Sequence, residues 1–150
     1  MTRPSEIKIP EDSTPGTAYD DFEVGTEVAT LEFDITPEIV DEYMEAVEAD
    51  KSLYELDGRP VAPPNILFVY MTGALYQKYP PIQGIVMAEA DFKWHAPIWA
   101  DETTRIRASG KITDKFDKRG RKYVQWSAEF SNAADGKVVA SLDNAFHVPS

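Results

Sequence analysis

The feature that most constrains the fold of this 150-residue chain is an uncharged, largely apolar stretch near its middle. No charged residue occurs from Ile66 to Gln77, and the stretch opens with the unbroken run ILFVYM. A helix that has no polar face is buried in protein or in a membrane. Because this run is shorter than the ~20 apolar residues that a membrane span needs, it predicts a buried central helix.

Residues on both sides of the stretch predict where this helix begins and ends. Pro63 and Pro64 are compatible with a first helical turn, and the Asn65 side chain is predicted to cap the helix by accepting a free backbone N–H. Pro80 and Pro81 cannot continue a helix, so they end it. The central helix is therefore predicted to lie between these two pairs of prolines.

The sequence before the central helix predicts one strand and one amphipathic helix. Residues 26–35 alternate roughly between apolar and polar side chains, which is typical of a strand. Thr36 is placed to cap a helix whose first residue is Pro37. Residues 49–61 are predicted to form a loop that leads to the central helix. The apolar stripe predicted for the first helix consists of Ile39, Val40, Tyr43, Met44 and Val47.

After Gly84 the apolar residues recur with the period of two that is typical of strands. Four strands are predicted, at residues 86–95, 104–113, 122–130 and 137–148. Turn residues at 118–120 and 135–136 predict hairpins between the later strands. In the first of the four strands, the residues predicted to face the core are Val86, Ala88, Ala90, Phe92 and Trp94.

The predicted order of elements is strand, helix, buried helix and four strands joined mostly by hairpins. Four such strands with one apolar face must cover something, and the buried helix is the only segment of matching length. The sequence therefore predicts an α+β hotdog fold, in which an antiparallel sheet wraps around a long central helix. Residues 1–18 are predicted to form a flexible N-terminal arm and residues 19–150 the domain. A single sheet of this kind leaves an edge exposed, so a dimer is expected.

The composition excludes several classes of function. The net charge of −11 argues against nucleic-acid binding, and the absence of cysteine excludes disulfides, thiolate nucleophiles and cysteine-based metal sites. The histidines His95 and His147 each stand alone, and the acidic residues lack the spacing of a calcium loop, so no cofactor or metal is expected. Because the chain starts with no signal-peptide pattern, a cytoplasmic protein without membrane contact is expected.

Four phrases are spread over the chain from Tyr19 onward, namely YDDFEVGTEV, ITPEIVDEYMEAVEAD, GRPVAPPNILF and FKWHAPIWADE. In their order and spacing they resemble the MaoC-like hydratase/dehydratase family, which includes (R)-specific enoyl-CoA hydratases. The resemblance implies reversible hydration of a trans-2-enoyl thioester, such as an acyl-CoA, in a tunnel at a subunit interface. In this family an Asp and a His five residues apart activate a water, and a backbone N–H at the start of the central helix polarises the thioester carbonyl.

The resemblance assigns roles to individual residues of this chain. Asp50 occupies the position of the catalytic Asp, whereas the position of the His is held by Glu55 or Tyr54. The backbone N–H is that of Asn65, so Asp50, Tyr54 and Asn65 are the predicted catalytic residues. The predicted substrate-binding residues are Pro64, Phe68, Tyr70 and His95.

The missing histidine leaves three functions open. The first is an acyl-thioester hydratase or dehydratase that uses Asp50 with an unusual partner group. The second is a non-catalytic hotdog subunit that forms the acyl tunnel with a catalytic partner. Two-part MaoC-like enzymes have one half without the Asp/His pair, which often carries a phrase like the LYE and APP of this chain. The third is a hotdog protein that binds a different small molecule through Tyr54, Tyr70 and Asn65.

Each candidate residue also has a simpler structural interpretation. Asp50 is placed to cap or end the region of the first helix, and Tyr54 to pack its ring under the loop. His95 falls on the polar side of its strand, where a surface or interface hydrogen bond is expected. Four basic residues cluster at a hairpin tip, where they form either a solvated turn or a contact with a coenzyme A phosphate. These residues are Lys118, Arg119, Arg121 and Lys122.

Overall fold

A curved five-stranded antiparallel sheet is the largest element of the computed structural model, which describes residues 3–10 and 15–150. Two additional short strands, β2 and β3, form a separate hairpin. The spatial order of the main sheet is β1-β5-β6-β7-β4, so β1 and β4 are its edges. The strands are β1 (Leu31–Ile35), β2 (Glu55–Leu56), β3 (Arg59–Pro60), β4 (Val86–Trp94), β5 (Thr104–Lys118), β6 (Arg121–Asn132) and β7 (Val138–His147).

Both α-helices lie between β1 and β4 in sequence, and the central helix runs along the inner face of the sheet. The α-helices are α1 (Pro37–Ala46) and α2 (Gly73–Lys78), and none of the described helices is long and apolar enough to cross a membrane. The 3₁₀ helices are Pro4–Glu6, Tyr19–Asp21, Lys51–Leu53 and Pro64–Tyr70.

Helix α1 begins where the sequence predicts it. The Thr36 hydroxyl accepts a hydrogen bond from the N–H of Ile39 at 3.2 Å, and Pro37 is the first helical residue, so this cap is confirmed. Met44 is buried as predicted. Val47 is 51% exposed and lies after the last helical residue, so its assignment to the buried stripe is wrong.

The central helix differs from the prediction in three respects. It is divided into the 3₁₀ helix Pro64–Tyr70 and α2, with a short turn between them. The Asn65 side chain does not cap it, because Asn65 lies inside the first turn and Pro63 takes the cap position. It is also not buried all round, since Phe68 is 40% exposed and Val69 is 45% exposed. The apolar face formed by Phe68 and Val69 lies beside the edge strand β4 and is exposed in the single chain.

The opposite face of the central helix forms the middle of the core. Its buried residues recur every three to four positions, which places them on one side. They pack with large residues from the inner face of the sheet, and Tyr70 stacks on Phe33 with ring centroids 4.1 Å apart. The buried residues of this face are Ile66, Leu67, Tyr70, Met71, Ala74 and Leu75.

The strands β5, β6 and β7 alternate between core and solvent as the sequence predicts. Ile106, Trp126 and Phe130 are fully buried, and the turns at residues 119–120 and 135–136 join these strands as hairpins. Within this sheet the buried indole N–H of Trp126 donates to Asn144, 2.8 Å away. The pairing therefore satisfies a polar group that burial would otherwise leave without a partner.

The edge strand β4 does not bury the residues predicted to face the core. Val86 is 56% exposed and Trp94 is 43% exposed, while Phe92 is half-buried. A bulge between Met87 and Glu89 interrupts the alternation. Within residues 3–10 and 15–150, β4 pairs only with β7 and the central helix covers the middle of the sheet, so these residues leave the β4 edge without cover.

Residues 3–10 of the N-terminal segment lie against both helices. The Arg3 guanidinium pairs with Glu42 of α1 at 2.8 Å, and the Gln77 amide of α2 donates to the carbonyl of Lys8 at 2.6 Å. Of the predicted arm, residues 1–2 and 11–14 lie outside the described residues, and its flexibility stays a prediction.

Gly110 occupies a place in β5 where the next strand leaves no room for a side chain. A Cβ at this position would clash with the carbonyl oxygen of Ser127 and lie 3.1 Å from the Cα of Ala128. We expect Gly110→Ala to lower the free energy of unfolding by about 1–3 kcal/mol, because the strands must move apart. Urea unfolding measures this, with the exposed neighbour Ser109→Ala as control; equal stabilities of the two variants would contradict it.

Candidate functional site

A hydrogen bond joins the end of β4 to the start of the central helix. The indole N–H of Trp94 donates to the carbonyl oxygen of Pro64 at 3.1 Å. This contact fixes the first turn of the helix against the edge of the sheet. A cavity lies on each side of it, and together these cavities contain most of the residues that the sequence singles out.

The first cavity, which we call the edge cavity, lies between the exposed face of the central helix and β4. It has a volume of about 470 Å³. The rings of Phe68 and Phe92 meet across it, with centroids 6.0 Å apart. An aromatic and aliphatic lining of this kind suits an apolar ligand. The lining residues are Tyr43, Asn65, Phe68, Val69, Ala90, Asp91, Phe92 and Trp94.

The second cavity, which we call the hairpin cavity, lies between the β2–β3 hairpin and the segment that follows β4. Its volume is about 370 Å³, and apolar atoms dominate its surface. Pro64, Trp94 and His95 are among the residues that line it. The remaining lining residues are Glu55, Leu56, Val61, Ala62, Leu67, Ala96, Pro97, Ile98 and Val139.

The first turn of the central helix leaves unused the backbone N–H of one residue that lines the edge cavity. Pro64 has no N–H, and the N–H of Ile66 bonds to the carbonyl of Pro63 at 3.0 Å. The N–H of Asn65, between them, donates to no acceptor in the described part of the chain. A free backbone N–H beside an apolar cavity can donate a hydrogen bond to the carbonyl oxygen of a ligand.

Asp50 begins the short 3₁₀ helix of the loop after α1. One of its carboxylate oxygens accepts hydrogen bonds from the backbone N–H of Ser52 at 3.0 Å and from its hydroxyl at 2.7 Å. These bonds stabilise the ionised form, so they lower the pKa of the exposed Asp50 carboxyl. Asp50 therefore fills the capping role while its other oxygen keeps its acceptor capacity.

Two tyrosines lie together between the loop and α1. Burial raises the pKa of Tyr43, and the nearby Tyr54 raises it further. Tyr54 is half-buried, and its carbonyl accepts the N–H of Val61 at 3.0 Å. Tyr43 lines the edge cavity, whereas Tyr54 stands behind it in the loop. The pair therefore connects the Asp50 loop to the cavity wall.

The predicted substrate-binding residues are divided between different surroundings. Phe68 lines the edge cavity, and Pro64 and His95 line the hairpin cavity. The ring nitrogen Nε2 of the exposed His95 lies 3.0 Å from the hydroxyl of Ser141. Tyr70 is buried in the core and lines a separate cavity beneath Arg3, so it is not brought together with the others.

Several residues of the two cavities were not identified as site residues from the sequence. Tyr43 was assigned to the buried stripe of α1, and Phe92 and Trp94 to the core. Trp94 belongs to the phrase FKWHAPIWADE, which is one of the four that carry the family resemblance, and this was the sequence signal that could have identified it as a site residue. The assignment failed because alternation along a strand does not tell an edge strand from a covered one.

A family model described as the FAS1-like dehydratase domain region matches residues 23–141. The chain belongs to this FAS1-like dehydratase family. Its matched region includes the Asp50 loop, the first turn of the central helix and all of β4. No curated protein matches the sequence.

Solved structures confirm the hotdog fold of this FAS1-like dehydratase domain. The unliganded R-hydratase PhaJ1 from Pseudomonas aeruginosa is 15% identical with a TM-score of 0.67, covering 90% of this chain and 87% of its own. A MaoC-like dehydratase from Rhodospirillum rubrum is 16% identical with a TM-score of 0.68, covering 86% and 94%. One chain of the HadBC 3R-hydroxyacyl-ACP dehydratase complex from Mycobacterium tuberculosis is 17% identical with a TM-score of 0.61, covering 83% and 99%. The resemblance to MaoC-like hotdog proteins is thereby confirmed.

The position of Tyr70 has a consequence for stability at high pH. Burial raises the pKa of Tyr70 to about 12. In the unfolded chain a tyrosine ionises near pH 10, so the stabilisation is complete below pH 10 and is lost as pH rises through 12. Between pH 9 and 11 the free energy of unfolding of the parent should fall as this stabilisation is lost. We expect the fall to be about 1 kcal/mol smaller in Tyr70→Phe, which has no phenol to ionise. Thermal unfolding across this range measures it, and parallel losses in both proteins would contradict it.

Proposed function

We propose that the chain is a hydratase/dehydratase of 2-enoyl thioesters whose acyl group lies in the edge cavity. The observation that carries this proposal is the unused N–H of Asn65 beside an apolar cavity at the start of the central helix. A thioester carbonyl accepts that N–H, and its acyl chain extends along Phe68. Membership of the FAS1-like dehydratase family supports the choice of reaction.

The reaction adds the elements of water across the C2=C3 double bond. The hydroxyl of the water bonds to C3 while its proton passes to the carboxylate of Asp50. Negative charge then develops on the thioester oxygen, where the N–H of Asn65 stabilises it. The proton returns from Asp50 to C2, which completes the addition, and the reverse sequence is the dehydration. The Tyr54 hydroxyl positions the water in place of the histidine that the loop lacks.

The surroundings of Asp50 suit this role in one respect and limit it in another. Its lowered pKa keeps the carboxylate ionised at neutral pH, so it is ready to accept a proton. A carboxylate with a lower pKa is also a weaker base. Ser52 therefore tunes the base through the hydrogen bonds that it donates to Asp50.

The remaining predicted residues contact the substrate along its length. Pro64 and Phe68 bound the acyl group near the thioester, and His95 meets the polar carrier arm at the hairpin cavity. Tyr70 lies beyond Val69, because the cavity beneath Arg3 shares Val69 with the edge cavity. A contact with Tyr70 therefore belongs to the far end of a long acyl chain.

The same features support a second candidate, a non-catalytic subunit that completes the tunnel of another hotdog chain. The observation that favours it is the absence of histidine between residues 49 and 61. Two of the similar structures, the HadBC 3R-hydroxyacyl-ACP dehydratase and ChsH1-ChsH2, are described as complexes. In this alternative the exposed edge of β4 and the edge cavity contact the catalytic partner.

An activity assay separates the two candidates. The purified chain alone is expected to hydrate crotonyl-CoA and a longer 2-enoyl-CoA, and Asp50→Ala is expected to lower kcat by roughly 100-fold or more. Glu45→Ala, an exposed acid on α1, is the matched control and keeps the parent rate. No turnover by the chain alone, followed by turnover after a second hotdog subunit is added, would favour the non-catalytic role instead.

The dependence of the rate on pH tests the role of Ser52. Ser52→Ala removes the hydroxyl that donates to Asp50 and leaves the backbone N–H, so the Asp50 pKa rises. The rate depends on the ionised carboxylate, so the acidic limb of the pH–rate profile is expected to move to higher pH. An unshifted acidic limb, measured with crotonyl-CoA, would show that Asp50 is not the base.

We also propose that β4 pairs with another hotdog subunit, in the simplest case a second copy of this chain. All of β4 except Phe92 is exposed, and the apolar Phe68 and Val69 continue the exposed surface. An edge strand with open backbone groups beside an apolar face is a site for pairing with another chain. Such pairing would close the edge cavity on its open side.

A single charge on this surface tests the pairing. Val69→Asp is expected to weaken the dimer at least about tenfold, because the carboxylate would be buried without a partner. Val24→Asp introduces the same charge at a residue that is 57% exposed in the lead-in segment, and it should leave the dimer intact. Sedimentation equilibrium measures both variants, and equal dissociation constants would contradict the proposed interface.

A further inference from the structure

The positive charge of this acidic protein is concentrated at one hairpin tip. Residues 115–122 contain five of the chain's 15 lysines and arginines but only one of its 26 acidic residues. A local positive region in a chain of net charge −11 attracts an anion that the rest of the molecule repels. The five basic residues are Lys115, Lys118, Arg119, Arg121 and Lys122.

None of these five side chains has a carboxylate partner in the part of the chain that the structure describes, and Lys118, Arg119 and Arg121 also make no side-chain hydrogen bond or ring contact there. The basic residues of the ion pairs found there all lie outside this tip, and Lys118, Arg119 and Arg121 take part in none. In contrast, Lys115 donates to the carbonyl of Phe22 at 2.9 Å. Lys118, Arg119 and Arg121 are therefore available to bind a ligand.

The same three cations line a groove of about 430 Å³ on the outer face of the sheet. Phe116 and Tyr123 also line it, and their rings stack with centroids 5.2 Å apart and planes 12° from parallel. Three cations beside an aromatic pair form a combination that suits a phosphorylated nucleoside, because the cations bind phosphate and the rings bind the base. Among the described residues that line the groove, Glu89 is the single carboxylate.

The turn that carries the cations is held in shape by its own backbone. Arg119 and Gly120 both adopt positive φ, of 56° and 74°, and the N–H of Gly120 donates to the carboxylate of Asp117 at 3.0 Å. This bond also directs the single acid of the tip to the backbone rather than to a neighbouring cation. The groove is therefore formed before a ligand arrives.

We propose that this groove binds the 3′-phosphorylated adenosine diphosphate of coenzyme A and so selects CoA thioesters as substrates. The proposal rests on the proposed function, because it names the carrier of the acyl group. Lys118, Arg119 and Arg121 bind the phosphates, and Phe116 and Tyr123 contact the adenine.

The groove and the edge cavity of one chain meet along β4. The groove reaches β4 at Ala88 and Glu89, and the edge cavity begins at the next residue, Ala90. In a symmetric antiparallel pair of β4 strands centred on Ala90, Glu89 of one copy lies beside Asp91 of the other. The groove of one copy therefore adjoins the acyl sites of both copies, and mixed dimers decide which of them the bound nucleotide serves.

Binding without turnover tests the groove directly. The test variant carries Lys118→Gln, Arg119→Asn and Arg121→Gln, with Asn chosen because it tolerates positive φ. The control carries Lys8→Gln, Lys111→Gln and Lys137→Gln, which removes the same charge elsewhere. Calorimetric titration uses CoA, 3′-phospho-ADP and pantetheine as probes.

The test variant is expected to bind CoA and 3′-phospho-ADP at least tenfold more weakly than the parent, while the control stays within twofold. Pantetheine, which lacks the nucleotide and all of the phosphates, is expected to bind both variants equally. Equal CoA affinity in the test variant and the parent would overturn the proposal, and so would an equal loss in the control. These outcomes do not depend on catalysis, so they are separate from a failure of the proposed reaction.

Steady-state kinetics provide a second test of the groove. With crotonyl-CoA the test variant is expected to show a raised KM at unchanged kcat, and with crotonyl-pantetheine its KM should equal that of the parent. Turnover of a thioester on acyl carrier protein, but not of crotonyl-CoA, would assign the cations to a protein partner and overturn the nucleotide proposal.

Mixed dimers test the transfer between copies. One copy carries Asp50→Ala with an intact groove, and the other carries the groove substitutions with an intact Asp50. A groove that serves the partner gives the mixed dimer one fully competent site with the parent KM. A raised KM in every mixed dimer would place the nucleotide and the acyl group on the same copy.

Discussion

The packing of one face of the central helix against the inner face of the sheet determines the rest of the structure. Ile66, Leu67 and Tyr70 are each almost completely buried, and Trp126 and Phe130 lie opposite in the same core. Burial of side chains of this size stabilises the fold by roughly 1.5–3 kcal/mol each. Because this face is fixed, the other face of the helix must look toward β4, and the first turn must lie beside Trp94.

Much of the fold could be predicted from the sequence because the local signals agree with the tertiary structure. The Thr36-Pro37 cap, the alternation in β5 to β7 and the glycine turns each depend on neighbours in sequence. The position of the central helix was predicted correctly, but its burial on all sides was not. A run of apolar residues reports that a segment avoids water, and it does not distinguish burial in its own chain from exposure to a second one. Phe68 and Val69 are exposed in the single chain, although they stand in such a run.

The candidate site was predictable in part. Pro64, Asn65 and Phe68 could be identified because they stand at the start of the central helix, where a resemblance and a physical reason coincide. Trp94 and Phe92 were missed because their role depends on β4 being an edge strand, and strand order is set by contacts far apart in sequence. The relation of Tyr43 to Tyr54 likewise depends on how the loop folds over α1. Contacts of this kind become visible only in the three-dimensional structure.

The open backbone of β4 also bears on how a family of such chains can diversify. Hydrogen bonds between strand backbones do not read side chains, so two related but different chains can join through the same edge as readily as two identical ones. After a gene duplication, one descendant is then free to lose a reactive group while the other retains it. The subunit that has lost its reactive group still lines the cavity between the two chains, and selection then acts on its side chains through the shape of the molecules that the cavity admits.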